Sequence, residues 1–133
     1  MKSEAELKQM GYSDKAVAII LGNENLFVMN DANFTFKDSE ECGDVLTLFL
    51  KINKDKIIDA SFIFEGCLGL KLASTVLTKM IKNLSLSNAG KIRFENILEF
   101  AEKVPVNKQE CIHFAISTLR KAIAEYEQQK LVS

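Results

Sequence analysis

The sequence predicts an α+β domain with a small, mostly antiparallel three-stranded sheet covered by helices. Segments with the period of a strand precede the main segments with the period of a helix, and the two kinds do not alternate. That order is typical of α+β domains rather than of a parallel sheet built from βαβ units. The length of 133 residues predicts a single domain over residues 1–133, which is long enough to fold without disulfide bonds.

Two short helices are predicted at the start of the chain. Ser3 and Glu6 have the spacing of a capping box, and Gly11 is placed to end the helix that they begin. Ser13 is placed to cap a second helix that runs to Leu21.

The strands are predicted next. Residues 26–29 and 33–37 have the composition of short strand segments on either side of a turn at Asn30-Asp31. Apolar residues alternate through residues 45–52 and again through residues 57–64. The polar stretch between these two runs predicts the turn of a β-hairpin.

Three helices complete the prediction. Apolar residues recur at helical spacing in residues 70–81, 94–101 and 112–126. No internal repeat or low-complexity linker interrupts this order.

The composition excludes several classes of partner. The chain has 17 basic and 18 acidic residues, so it lacks the extended positive field of a nucleic-acid-binding protein. The first residues lack the apolar core of a signal peptide, and no apolar run is long enough to cross a bilayer. We therefore expect a cytoplasmic protein without membrane partners, in which three cysteines serve metal binding or thiol chemistry rather than disulfide bonds.

The three cysteines, Cys42, Cys67 and Cys111, are the candidate functional residues, together with Asp44 two positions after the first. The cysteines are separated by 25 and 44 residues, so only the tertiary fold brings them together. Taken singly, each is equally well explained as a small buried hydrophobe. A glycine adjoins the first two, however, and favours a site that the backbone approaches closely.

The start of the last helix bears on the chemistry of Cys111. Asn107 and Glu110 have the spacing of a capping box, which places Cys111 near the positive end of the helix dipole. Cys67 precedes a predicted helix start in the same way, so the pKa of both thiols is predicted to be lowered. Glu110 is favoured as a cap, with a metal ligand as the alternative. The only histidine, His113, lies on a nearly opposite helix face and is predicted to be structural or exposed.

Three segments, each with one cysteine, resemble the cysteine motifs of the NifU-like (IscU-type) iron-sulfur cluster assembly scaffolds. They agree with that family in order and in approximate spacing, and the resemblance extends over residues 34–126. Residues 11–16 also resemble the start of some members. The three segments are residues 42–52, 58–67 and 108–111.

The resemblance implies the SufE/NifU-like fold, which brings the three cysteine segments together at one end of the molecule. It also implies a carrier rather than an enzyme. Such a scaffold builds a [2Fe-2S] cluster from iron and from persulfide sulfur supplied by a cysteine desulfurase, and passes it to apo iron-sulfur acceptor proteins. The implied metal and cluster ligands are Cys42, Asp44, Cys67 and Cys111, with the Asp44 oxygen as the most exchangeable.

The sequence departs from this family at two places. Members typically carry a histidine just before the last cysteine, where this chain has Glu110. In residues 104–108 only one proline and the lysine remain of the segment that docks an Hsp70-type chaperone in bacterial members, which puts that docking in doubt.

Two alternative functions stay open. One is a zinc-containing, SufU-like sulfurtransferase that accepts sulfur from a cysteine desulfurase. Such relatives usually carry an insertion between the second and third cysteine motifs, and residues 68–110 show none, which favours the scaffold. The other is a regulatory or structural module that has lost the cluster, as the missing histidine and the acidic pair Glu40-Glu41 suggest.

Overall fold

A computed structural model describes residues 2–132 of the chain. Helices α1 and α2 precede a sheet of strands β1 to β3, and helices α3 to α6 follow it. Within these residues no helix is long and apolar enough to cross a membrane. The bounds are α1 Glu4–Met10, α2 Asp14–Leu21, β1 Phe34–Ser39, β2 Val45–Asn53, β3 Lys56–Glu65, α3 Leu68–Ile81, α4 Leu86–Ala89, α5 Phe94–Ala101, a 3₁₀ helix Val106–Lys108 and α6 Glu110–Val132.

The first two helices begin and end as predicted, because their caps are local. The Ser3 side chain accepts a hydrogen bond from the Glu6 amide at 3.2 Å, and Gly11 ends α1 with a φ of 107°. The Ser13 hydroxyl accepts from the Ala16 amide at 3.0 Å and donates to the Ala101 carbonyl at 2.6 Å. This second bond ties the start of α2 to the end of α5.

The sheet has the order β1-β2-β3 and is antiparallel throughout. Lys54 and Asp55 form a two-residue hairpin turn with φ values of 53° and 62°, the left-handed conformation that a type I′ turn requires. The alternating residues of β2 that face the helices are fully or nearly fully buried. They are Leu46, Leu48, Leu50 and Ile52.

The predicted strand at residues 26–29 is wrong. Only Leu26 forms an isolated bridge, to Phe62 of β3. Two backbone hydrogen bonds hold it there, from the Phe27 amide to the Phe62 carbonyl and from the Phe62 amide to the Asn25 carbonyl. The chain then leaves the edge of the sheet, so the apolar run lacks the further ladder bonds that would make it a strand.

Helix α3 lies at the centre of the molecule and packs against β3, α2, α5 and α6. It is buried on almost every side, which explains why its sequence is apolar beyond a single stripe. The three predicted helices are confirmed, although α6 continues to Val132, six residues beyond the predicted stripe. Neither α4 nor the 3₁₀ helix was predicted, because both are too short to show a period.

Candidate metal centre

The candidate site lies at one end of the sheet, the end that is nearest to the first residues of α3 and α6. The last row of the sheet pairs Ser39 of β1 with Val45 of β2, and Val45 with Glu65 of β3. The β1–β2 turn therefore emerges beside the end of β3, which leads directly into Cys67. Strand register thus brings two cysteine segments that are distant in sequence to the same end of the sheet.

Gly66 lets the β1–β2 turn approach Cys67 closely. Its φ of 137° is unfavourable for an L-residue, and an added Cβ would lie 2.1 Å from Asp44 Oδ1 and 2.8 Å from Asp44 Cγ. The space that a side chain would occupy is thus filled by the Asp44 carboxylate, whose Oδ2 lies 3.7 Å from the Cys67 sulfur.

The sulfurs of Cys67 and Cys111 lie 2.9 Å apart. Cys67 is the N-cap residue of α3, and Cys111 lies in the first turn of α6 and is buried. Gly69 permits this approach, because a Cβ added there would lie only 3.2 Å from the Cys111 sulfur and 3.3 Å from Lys108 Cβ. Two helix starts therefore converge on one pair of sulfurs.

The predicted capping box at the start of α6 is wrong. Asn107 lies inside the 3₁₀ helix, and α6 begins at Glu110 itself. Lys108 donates its amide to the Pro105 carbonyl at 2.9 Å, so a tight turn begins at the proline and takes in Asn107. Glu110 is therefore the first helical residue rather than the third, and its exposed side chain lines the cavity that holds the cysteines.

A hydrogen bond joins the two adjacent thiols, and either sulfur can be its donor. This bond lowers the pKa of Cys67 to about 6. The amides of Leu70 and Gly69 at the start of α3 also lower this pKa, although the Cys67 side chain makes no standard cap hydrogen bond. Burial and the charge of Asp44 raise it. The pKa of Cys111 is raised, mainly by that same bond and by burial. The predicted lowering is thus confirmed for Cys67 and wrong for Cys111.

Cys42 lies at the tip of the β1–β2 turn, exposed, with its sulfur 3.5 Å from Glu40 Oε2. Within the described residues the possible donors form two sets of three, and in each set the donor atoms lie within 4.8 Å of one another. Asp44, Cys67 and Cys111 form one set, and Glu40, Cys42 and Asp44 form the other. Asp44 belongs to both.

All four residues predicted as ligands line one cavity of about 220 Å³. Cys42 belongs to a different donor set from Cys67 and Cys111, and Asp44 is common to both sets. Their role as ligands stays a prediction. Glu40 belongs to the second donor set, and sequence reasoning did not assign it to the site, although the acidic pair Glu40-Glu41 before Cys42 was a signal.

Two other side chains complete the surroundings. The hydroxyl of Tyr12 is buried next to the sulfurs and finds no hydrogen-bond partner among the residues that the structure describes. Burial, followed by the nearby Cys67 and Cys111, raises its pKa. His113 is exposed and stacks on Phe94, with ring centroids 4.4 Å apart, so its predicted place outside the site is confirmed.

The donor set suits a thiophilic metal that also accepts oxygen. Two thiolates in one pocket bind zinc, iron or an iron-sulfur cluster, and the carboxylate adds a weaker and more exchangeable ligand. The second donor set, Glu40, Cys42 and Asp44, contains two carboxylates and one cysteine. It is therefore a harder set of ligands than the first, and it is more accessible to solvent.

Comparisons with known proteins identify relatives of this chain. The family model "NifU-like N terminal domain" matches residues 11–133. The iron-sulfur cluster assembly scaffold protein IscU of Escherichia coli (strain K12) is 33% identical over 126 residues, covering 91% of this chain and 98% of that protein. The protein of the same name from Aquifex aeolicus (strain VF5) is 30% identical over 118 residues, with coverages of 86% and 75%.

Two solved structures share the fold. FiSufU from Fervidobacterium islandicum AW-1 matches with a TM-score of 0.70 at 21% identity, covering 84% of this chain and 96% of that one. The N-terminal part of a NifU-like protein from Brucella abortus matches with a TM-score of 0.71 at 13% identity, with coverages of 95% and 99%. The predicted α+β fold is thereby confirmed.

Proposed function

Since the chain belongs to the NifU-like N terminal domain family, we propose that it is an iron-sulfur cluster assembly scaffold. The observation that carries the proposal is the meeting of the Cys67 and Cys111 sulfurs, 2.9 Å apart, beside the Asp44 carboxylate. Cys42 lines the same cavity. The relatives from Escherichia coli and Aquifex aeolicus are named as scaffolds of this kind.

The proposed cargo is a [2Fe-2S] cluster. Thiolate sulfur is the usual ligand of such clusters, and two donor sets that share Asp44 offer positions for two iron ions. Because the pKa of Cys67 is lowered to about 6, its thiolate, which is the form that binds metal, forms more readily than that of an isolated cysteine. A cysteine desulfurase supplies the sulfur, and an apo acceptor protein receives the cluster, so the protein carries its cargo rather than catalysing a reaction of its own.

Asp44 is the ligand proposed to keep the cluster transferable. A carboxylate oxygen on a thiolate-rich iron site exchanges more readily than sulfur and admits a competing thiol from an acceptor. Asp44 is half-buried at the boundary between the two donor sets, where loss of one ligand opens the site towards solvent.

Anaerobic reconstitution with Fe²⁺, cysteine, a cysteine desulfurase and dithiothreitol, which reduces the persulfide sulfur to sulfide, tests the proposal. We expect iron and acid-labile sulfide to be bound in equal amounts, with the visible absorption of a cluster. Cys42→Ser, Cys67→Ser and Cys111→Ser should each impair assembly. Asp44→Ala should still assemble a cluster but transfer it more slowly to an apo-ferredoxin. Wild-type protein that takes up no sulfide would contradict the proposal.

Asp31→Ala is the matched control for Asp44→Ala. This variant also loses one carboxylate. Asp31 is exposed and pairs with Lys51 of β2 at 2.8 Å, far along the strand from Val45, where β2 meets the site. Transfer by this variant should equal that of the wild type. Equal slowing in both variants would show that net charge, rather than the ligand, governs transfer.

A zinc-containing sulfurtransferase is the second candidate, favoured by the Cys67 thiolate. A cavity of about 490 Å³, lined by Met10, Tyr12 and Leu68 among others, reaches Cys67, and Cys42 is not among its lining residues. A thiolate of lowered pKa is a suitable acceptor of sulfane sulfur. Protein that retains only zinc in the reconstitution, yet speeds persulfide turnover by the desulfurase, would establish this function instead.

A further inference from the structure

Glu40 faces the site because of the strand register and not only because of its side-chain conformation. Ser39 and Val45 form the last pair of β1 and β2, and the Glu40 amide donates to the Asp44 carbonyl at 2.9 Å. The ladder therefore extends by one further pair, Glu40 opposite Asp44. Side chains opposite each other in an antiparallel pair lie on the same face of the sheet, with Cβ atoms about 5 Å apart.

That face is the one covered by helices. Side chains along a strand alternate between faces, so Glu40 shares its face with Asp38, whose carboxylate accepts from Lys121 of α6 at 3.0 Å. Asp44 likewise shares its face with the fully buried Leu46. Both carboxylates are thus directed to the side on which α6 begins and Cys111 lies.

The donor atoms agree with this placement. Oxygens of Glu40 and Asp44 and the sulfur of Cys42 lie within 4.8 Å of one another, close enough for one metal ion to bind all three after small side-chain rotations. A hydrogen bond from the Gly43 amide to the Glu40 carbonyl, 3.0 Å long, closes the turn that holds them. Glu110, in contrast, lines the cavity but belongs to neither donor set of the described residues.

We propose that Glu40 is a metal ligand of this protein and completes, with Cys42 and Asp44, the second metal position beside Cys67 and Cys111. This inference rests on the proposed function for its cargo, iron, but the ligand set itself is a property of the turn. The turn, rather than the start of α6, supplies the additional oxygen ligand. Both Glu40 and Cys42 are exposed, so this position is the one from which an incoming metal ion first reaches the site.

Co²⁺ is a suitable probe, because thiolate ligation to Co²⁺ gives a charge-transfer absorption that reports on the sulfur directly. Glu40→Gln keeps the size of the side chain and removes its charge. In an anaerobic Co²⁺ titration, the absorption change that arises from the Cys42 thiolate reports binding at the second metal position. We expect the Glu40→Gln variant to bind Co²⁺ at this position about tenfold or more weakly than the wild type. Glu41→Gln is the matched control, since Glu41 is exposed and adjacent but belongs to neither donor set. It should bind as the wild type does.

A double-mutant cycle separates direct ligation from a general charge effect. Because the Cys42→Ser variant lacks the reporting sulfur, Co²⁺ affinity in all four proteins of the cycle is measured by isothermal titration calorimetry. If Glu40 and Cys42 hold the same ion, Glu40→Gln should have little further effect on this affinity in a Cys42→Ser background, since interacting residues are non-additive. Thermal melting of each metal-free variant verifies that it folds. Equal losses in Glu40→Gln and Glu41→Gln, full additivity with Cys42→Ser, or a loss confined to Glu110→Gln would each overturn the assignment.

These outcomes are distinct from failure of the scaffold function. Wild-type protein that assembles a cluster, while Glu40→Gln and Glu41→Gln bind Co²⁺ alike, would remove Glu40 from the ligand set and leave the scaffold intact. Wild-type protein that takes up no sulfide, while Glu40→Gln alone weakens Co²⁺ binding, would support the ligand and overturn the scaffold.

Discussion

Replacement of Gly66 by alanine should both destabilise the fold and disturb the metal site. Gly66 has a φ of 137°, and its added Cβ would lie 2.1 Å from Asp44 Oδ1 and 3.2 Å from Asp44 Cα. An L-residue in such a conformation costs about 1–3 kcal/mol. Moving the carboxylate out of the way adds on the order of 1 kcal/mol for an unfavourable rotamer. The backbone contact with Cα cannot be relieved by a rotamer change and requires a shift of the β1–β2 turn.

We therefore expect Gly66→Ala to lower the free energy of unfolding by about 2–4 kcal/mol, as the sum of these two costs. Urea denaturation measures this change, and anaerobic Co²⁺ titration should show weaker binding because Asp44 is displaced from both donor sets.

Gly43→Ala is the matched control for Gly66→Ala. Gly43 also has a positive φ, 100°, but no atom lies within 4 Å of its added Cβ. In this variant the free energy of unfolding should fall only by the backbone contribution, about 1–3 kcal/mol. The Asp44 carboxylate should stay in position. Equal loss of stability and equal Co²⁺ affinity in the two variants would refute the packing of Asp44 against Gly66.

Three further predictions concern single residues. In metal-free protein, the rate of alkylation of Cys67 by iodoacetamide, followed by peptide mass spectrometry, should rise through an inflection near pH 6 and then level off, since the thiolate forms there. A rate still rising at pH 9 would contradict the lowered pKa of Cys67. Lys54→Asn should raise the free energy of unfolding in urea by about 0.5 kcal/mol, because Lys54 has a φ of 53° in a turn that favours asparagine; a decrease would argue against the type I′ turn. Phe62→Ala should lower the free energy of unfolding in urea by about 3–5 kcal/mol, because the ring is fully buried. A decrease below about 1 kcal/mol would show that neighbouring core residues move in to fill the space left by the ring.

The elements predicted from sequence were those whose signals are local. The caps of α1 and α2 and the alternation of β2 and β3 depend on residues a few positions apart, and all are confirmed. The strand predicted at residues 26–29 failed because a strand needs a partner, and the edge of β3 provides hydrogen bonds only around Phe62. The predicted cap at Asn107 failed because Pro105 starts a tight turn. The spacing of Asn107 and Glu110 alone does not reveal this turn.

The α+β class, the hairpin, most helices and the chemical identity of the donors follow from sequence patterns alone. The cysteines and Asp44 could be named as candidate ligands because thiolates and carboxylates bind metals whatever fold carries them. The contact between Cys67 and Cys111, by which one pKa falls while the other rises, depends on the packing of α3 against α6. Tertiary structure likewise places Glu40, rather than Glu110, in a donor set. The physical reason is that donor chemistry resides in single residues, whereas distances between residues 44 positions apart arise from strand register and helix packing.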